Sequence, residues 1–419
     1  MLKGAMGQSL KGELFNVEII PIASNLRDDV RLDEPIKELQ RILKGRYTHT
    51  HPIINRLVDI RGLVFDVGIV LVLTGGTEQL IVALSKLNRP IIYVYIPTMN
   101  SLPALMEALA LIGDKHTINT ASINDPVKIT SVINAYRALG VLKHMRLGLI
   151  GGASNWLVYS RASASTIKRS AGLTLVNISM DEIYRNIDSS DTPAELVSKI
   201  MSGAQGSTVS REELEKALGV YQALKGIIKS RHLDAISMRC FDLIESKGTT
   251  ACVAFSLLNS DGIVSGCEGD VPSTVGMIIG SLISEKPVFM ANPSYIKGND
   301  LMVSHCTVPL SMVEGYLLMT HFESGLGVGI QGTILHSDQV TLYRLSNDLH
   351  RMRVLVGKPI IPEFDDDHCR TQIIIRVNGD LTRIVEDSIG NHYLLILGDH
   401  HRELEVIGKL LGGNVDEIV

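Results

Sequence analysis

The chain has 419 residues, 40 Lys and Arg against 45 Asp and Glu, a formal charge of −5 and 45% hydrophobic residues. At roughly 150 residues per domain this makes two or three domains with large cores, which excludes a single small module and a disordered or low-complexity chain. Mean hydropathy is +0.20, yet the longest apolar runs, such as GLVFDVGIVLVL, break well short of the roughly 18 residues a spanning helix needs and read as buried parallel strands.

No Lys/Arg cluster with interleaved aromatics is present, so there is no footprint for nucleic acid or an anionic bilayer, and a small polar ligand is the expected partner. The opening MLKGAMGQSLKGELF carries no apolar core of a signal peptide. Five cysteines, an odd number without a C-x-x-C pair, sit in a chain large enough to need no disulfides. The expectation is a cytoplasmic protein with free thiols.

In chain order, VEIIPIAS (17–24), VGIVLVLTGG (67–76), the helical TEQLIVALSKLN, PIIYVYIP (90–97) and SLPALMEALALIG alternate as a parallel α/β pattern. The basic joint LKHMR (142–146) precedes LGLIGG (147–152), where the same grammar restarts with LTLVNIS (173–179), DAISM (234–238) and GIVSGC (262–267). Ser210 and Glu213 have the spacing of a capping box opening a long helix. After the helix VPSTVGMIIGSLIS, ending near Glu285, short strands take over: PVFMA, DLMVSHC, LGVGIQG, QVTLYRL, RMRVLV, TQIIIRV and HYLLILG, closed by a helix RELEVIGKLL. The expected architecture is two consecutive Rossmann-like parallel α/β domains, 1–146 and 147–285, followed by a β-rich domain, 286–419.

Three stretches carry residue types suited to chemistry. CEGDVP places Glu268 and Asp270 after a buried strand and before a helix, the crevice where open α/β sheets bind ligands. The plain alternative is that Asp270 caps the helix and Glu268 is solvated. PVFMANPSYIKGNDLMVSHCTVP carries Asn292, Asp300, His305 and Cys306, and GNHYLLILGDHHREL carries His392, Asp399, His400 and His401. A lone histidine in an apolar strand is most often a satisfied core residue, and Asp399 suits a helix N-cap. One carboxylate and two histidines at strand ends form an O,N donor set that suits manganese, zinc or iron better than calcium. Cys306, beside His305, has the make-up of a thiol nucleophile with a neighbouring base, against the commoner state of buried inert cysteine. The turns Thr74-Gly75-Gly76-Thr77 and Gly151-Gly152 present backbone N–H groups as an anion site does, but match no nucleotide motif; close helix–strand packing or contacts to ligand hydroxyls suit them better.

At CEGD, FMANP, GNDLMVSHCTVP and GNHYLL…GDHHREL the chain resembles the L-fucose isomerase and L-arabinose isomerase superfamily, in order from about residue 147 onward and more weakly at TGGTE. The resemblance implies an aldose–ketose isomerase, an intramolecular oxidoreductase acting through an enediol on a small sugar, with a divalent metal, usually manganese. It implies a homo-oligomer, a trimer or hexamer, whose first domain reaches a neighbour's site. By the family's pattern Glu268, Asp270 and Asn292 form the catalytic set, and Glu268, Asn292, His305 and His392 hold the metal. Asn292 stands where the family has its second acid; asparagine offers a carbonyl oxygen but accepts no proton near pH 7. That departure keeps two rivals open: a sugar-binding protein without turnover, and an isomerase of sulfosugars or sugar acids on the same scaffold.

Overall fold

Apolar runs of five or six residues, each followed by a turn and an amphipathic segment, can pair side by side only through a crossover, so they fold as parallel strands covered by helices. The computed structural model describes residues 15–25, 32–113 and 118–418; the opening MLKGAMGQSLKGEL lies outside them. The described residues divide into two compact units, one from residues 15–141 with 402–412, the other from 142–401 with 413–418.

The N-terminal unit holds β1 (Val17–Ile22), β2 (His49–Thr50), β3 (Val67–Val72), β4 (Ile91–Tyr95) and β5 (Ile118–Ser122), parallel throughout in the order β2-β1-β3-β4-β5. β3, VGIVLV, is buried at all positions, as a strand covered on both faces must be. The Thr74–Thr77 turn is spent on packing. Gly75 N–H donates to the Met99 carbonyl at 2.8 Å, Thr77 Oγ1 to the Thr74 carbonyl at 2.9 Å, and a Cβ on Gly75 would stand 2.9 Å from that of Asn100. The helix His401–Leu410 also belongs here; its buried Glu403 accepts from Ser131 Oγ at 3.0 Å.

The second unit opens with β6 (Arg146–Ile150), β7 (Thr174–Ile178), β8 (Gly206–Ser207), β9 (Ala235–Met238) and β10 (Val264–Gly266). Its parallel sheet runs β10-β9-β6-β7. The helix Arg211–Arg231 starts at the capping box: Ser210 Oγ accepts from Glu213 N–H and Glu213 Oε2 from Ser210 N–H.

The remaining strands are β11 (Phe289–Lys297), β12 (Asp300–His305), β13 (Val313–Met319), β14 (Gly329–Ile334), β15 (Val340–Leu345), β16 (Arg351–Ile360), β17 (Thr371–Arg376), β18 (Tyr393–Leu397) and β19 (Asn414–Ile418). Six of them pair in the order β15-β18-β11-β12-β17-β16, and β16 pairs again with β15, so the sheet closes into an antiparallel ring around Phe289, Val303, Leu342, Leu355, Ile373 and Leu395. Closure removes the unpaired edges that a lone sheet would expose. β14, β13 and β8 form a separate three-stranded sheet.

Two parallel α/β segments followed by a β-rich segment is thus the fold the pattern predicts. One detail differs: the last helix does not close the chain, because β19 follows it and pairs in parallel with β16. NVDEI and the VEGYLLM of β13 are mostly half-buried, so their patterns lack the continuous apolar run by which the other strands are recognised. Among the described residues no helix is long and apolar enough to cross a membrane.

The helix Val271–Ser284 is seated on the ring through two glycines one turn apart. A Cβ on Gly276 would stand 2.3 Å from Leu394, one on Gly280 2.2 Å from the Tyr343 hydroxyl, and that hydroxyl donates to the Gly276 carbonyl at 2.7 Å. This close approach fixes the helix N-terminus, with Glu268 just before it, against the start of β18.

Candidate metal centre

Strand register brings the distant segments to one place. Ala291 pairs with Tyr393, so Asn292, inside β11, and His392, just before β18, come next to each other where that pairing ends. Asn292 pairs with Ser304, which puts His305 at the adjoining end of β12. Glu268 arrives from the other side, past the end of β10. Ligand atoms of the buried Glu268, His305 and His392 all lie within 4.8 Å of one another, the one group among the described residues with the make-up of a metal site. Donors bound to one cation at about 2.0–2.3 Å stand at most about 4.6 Å apart, so small side-chain shifts close this set on an ion.

His392 is oriented for that role. Its Nδ1 donates to Asp270 Oδ2 at 2.9 Å, while its buried Nε2 makes no hydrogen bond and lies 3.7 Å from Glu268 Oε1. A carboxylate behind a histidine fixes the tautomer that presents the other nitrogen to a cation, and the orphaned Nε2 is the atom a cation would satisfy. The site residues therefore fit a divalent ion held by two nitrogens and a carboxylate.

Asp270 is wholly buried and both its oxygens are engaged. Oδ1 accepts from Ser273 N–H at 2.8 Å, capping the helix, and Oδ2 accepts from Arg344 at 3.0 Å as well as from His392. Arg344, also wholly buried, spends its remaining donors on Ser273, Ser160 and the carbonyls of His392 and Ile389. Burial alone would raise the Asp270 carboxyl, but the Arg344 charge, His392 and Ser273 N–H outweigh it and hold it well below the usual carboxylate range. Burial likewise opposes the charge on His392, yet Asp270 and Glu268 push it up to about 9. Burial and the neighbouring His392 charge push His305 down to about 3.

Glu268 is held by the loop that follows the Gly151-Gly152 turn, through a tryptophan that the sequence did not single out. Trp156 Nε1 donates to Glu268 Oε2 at 2.6 Å, and Ser154 N–H to the Glu268 carbonyl at 2.8 Å. Burial pushes the Glu268 carboxyl up, but His392, Trp156 and His305 outweigh it and set it below its ordinary value. The backbone here is strained: Glu268 has φ +61° and Gly269 φ +69°. A Cβ at Gly269 would stand 2.1 Å from the Gly152 carbonyl oxygen. Gly269→Ala is therefore expected to cost about 1–3 kcal/mol of stability, read by thermal unfolding; a variant as stable as the parent would show that this backbone tolerates a side chain.

A pocket opens beside Glu268, His305 and Asn292. Asn292 is half-buried and accepts from Asn391 Nδ2 at 3.3 Å. Phe241 lies edge-on to both Trp156, at 4.8 Å, and His321, at 5.3 Å, forming an aromatic row on one wall. Glu323 adds a second carboxyl, raised by burial and the Glu268 charge. Neither His321 nor Glu323 stood out in the sequence, because the turn HFESG carries no pattern that separates it from an ordinary surface loop. Asp399, His400 and His401 do not line this pocket, and Asp300 forms an ion pair with Arg376.

No family model matches the chain. It is similar to curated proteins named sulfoquinovose isomerase. The one from Clostridium sp. (strain MSTE9) is 23% identical over 328 residues, 73% of this chain and 72% of the relative. Those from Priestia aryabhattai, 23% identical over 294 residues (67% and 66%), and Alkalicoccus urumqiensis, 21% over 307 residues (70% and 69%), bear the same name. Over some 70% of its length the chain is thus similar to enzymes of the isomerase kind.

Proposed function

We propose that the chain is a metal-dependent aldose–ketose isomerase of the L-fucose isomerase kind, acting on a sulfosugar or a closely related aldose, with manganese as its ion. The observation that carries this is the convergence of Glu268, His305 and His392 from three separate segments beside a pocket; the names of the relatives, sulfoquinovose isomerase, support a sulfosugar as the substrate class. The protein is further proposed to be cytoplasmic and to work as a homo-oligomer.

Glu268, His305 and His392 would hold the cation, with the Asn292 carbonyl oxygen as a further donor. When bound, the cation would supply Lewis-acid chemistry, making the C–H beside the sugar's carbonyl more acidic and easing the negative charge that develops there. Glu268 takes that proton and returns it to the adjacent carbon. Asp270 holds the His392 ring in the ligating tautomer, and Arg344 keeps Asp270 charged. Trp156 occupies Glu268 Oε2 and leaves Oε1 for the site. The aromatic row excludes water from one wall.

Conversion of sulfoquinovose and a panel of neutral and acidic aldoses, followed by NMR with manganese supplied, tests the reading. Ketose formation with exchange of the C2 hydrogen in D₂O is expected; absence of turnover on every sugar, together with absence of manganese binding by calorimetry, would overturn it. Two substitutions sharpen it. Asn292→Asp adds a negative charge beside Glu268 and is expected to tighten manganese binding. Trp156→Phe removes the donor on Glu268 and is expected to lower kcat about 10–100-fold, the usual effect of losing a ligand's outer partner, with KM for the sugar little changed. Full kcat in that variant at saturating manganese would show that the indole positions nothing. Trp156 is the chain's single tryptophan, so its fluorescence in the parent protein reports on Glu268 without background.

A further inference from the structure

All five cysteines of the chain, Cys240, Cys252, Cys267, Cys306 and Cys369, are unpaired and line the same pocket. Five thiols placed independently in 419 residues would not be expected around one cavity, and the proton-transfer reading uses none of them. Among the described residues they add no third donor to a metal cage, since the group with that make-up is Glu268, His305 and His392. The sulfurs of Cys240 and Cys267 are 2.9 Å apart.

The fold makes that approach natural. β9 and β10 are parallel neighbours, with Ser265 opposite Ile236 and Gly266 opposite Ser237, so the residues just beyond both strands leave the sheet along one edge. Neighbouring strands are about 4.8 Å apart, inside the roughly 4.4–6.8 Å between Cα atoms that a disulfide bridges. Cys267 is also peptide-bonded to Glu268, whose strained backbone is pinned by Ser154.

We propose that Cys240 and Cys267 are a dithiol–disulfide couple in the pocket wall, closed by a hydroperoxide and reopened by a dithiol reductant, and that the closed form displaces Glu268. In the first step a cysteine sulfur attacks the peroxide oxygen: an S–O bond forms, the O–O bond breaks, and the departing oxygen leaves as an alcohol or water after taking a proton. The partner sulfur then attacks that sulfenic sulfur, forming S–S, breaking S–O and releasing water. Two thiols are oxidised by two electrons and one peroxide is reduced. A partner thiol already within hydrogen-bond distance traps the sulfenic acid before further oxidation. The linkage rests on the geometry alone; its effect on manganese binding rests on the reading of the site given above.

The test uses the full-length reduced protein treated with hydrogen peroxide, alkylated under denaturing conditions and digested without reductant. A cross-linked peptide joining Cys240 to Cys267 is expected, with alkylatable thiols falling from five to three and returning to five with dithiothreitol. Five thiols persisting through the peroxide series, a linkage between any other pair, or sulfinic acid at Cys240 or Cys267 in place of the linkage would overturn the couple. Cys240→Ala is expected to keep its four thiols under the same treatment. Calorimetry with manganese on the linked and reduced forms completes the test: weaker binding in the linked form is expected, and equal binding would overturn the displacement of Glu268. Because the linkage is read by mass, it stands or falls whether or not the protein turns over a sugar.

Discussion

Glu268→Gln is expected to abolish most turnover while leaving the fold intact. The amide keeps the shape of the carboxylate and can still accept from Trp156, so the 2.6 Å contact that pins the side chain survives. What disappears is a group able to take a proton from carbon and the negative charge that a cation would meet. Losing a general base typically lowers a rate by about 10²–10⁴-fold, and weaker metal binding adds to that. The check is ketose formation by parent and variant at saturating manganese, with manganese affinity measured separately. If the parent converts a sugar and the variant converts it equally fast, the proton passes through another group, and Glu323, the other carboxyl on the pocket wall, becomes the place to look.

Arg344→Met is expected to be the most damaging single change to stability. The guanidinium is wholly buried, as is its partner Asp270. Removing it leaves a buried carboxylate facing only His392 and Ser273, and breaking such a pair by taking one partner away typically costs about 3–5 kcal/mol. Urea unfolding of parent and variant measures the loss. The double variant Arg344→Met with Asp270→Asn is expected to recover part of it, because no charge is then left uncompensated. If the single variant unfolds at the parent's midpoint, Asp270 is not held as a charged group by Arg344. His392 gives the second readout: with Asp270 no longer anchored, its ring loses its fixed tautomer and manganese binding is expected to weaken.

Much of the fold was legible because its strands are extreme. VGIVLV and YLLIL are buried along their whole length, and no periodicity but that of a covered strand explains such runs bounded by turns. The half-buried β13 and β19 were not legible, since a strand that sees solvent along part of its length carries no such run. At the site, Glu268, His305 and His392 stood among the candidate residues at strand ends, and the resemblance assigned them as ligands; spacing alone said little when the segments lie so far apart. Arg344 was readable in principle: one charged residue inside QVTLYRL, a strand buried at all six of its positions, demands a buried partner. Trp156 was not. Its partner is 112 residues away, and nothing local in GGASNW says that the indole N–H meets a carboxylate.

The path of the chain through its last residues sets the order in which the protein can be finished during synthesis. The helix His401–Leu410 belongs to the unit that begins near residue 15, while β19, directly after it, returns to the ring strand β16. Ser131 emerges from the ribosome long before the Glu403 that accepts from it, an interval of tens of seconds at the usual rate of about 5–20 residues per second. The first unit made is therefore without its closing helix until almost the whole second unit has appeared, and β16 lacks its parallel partner β19 until a few residues later still. Neither unit is complete as a nascent intermediate; both are completed within the same short stretch of translation, so a ribosome stalled anywhere before residue 402 carries two unfinished cores.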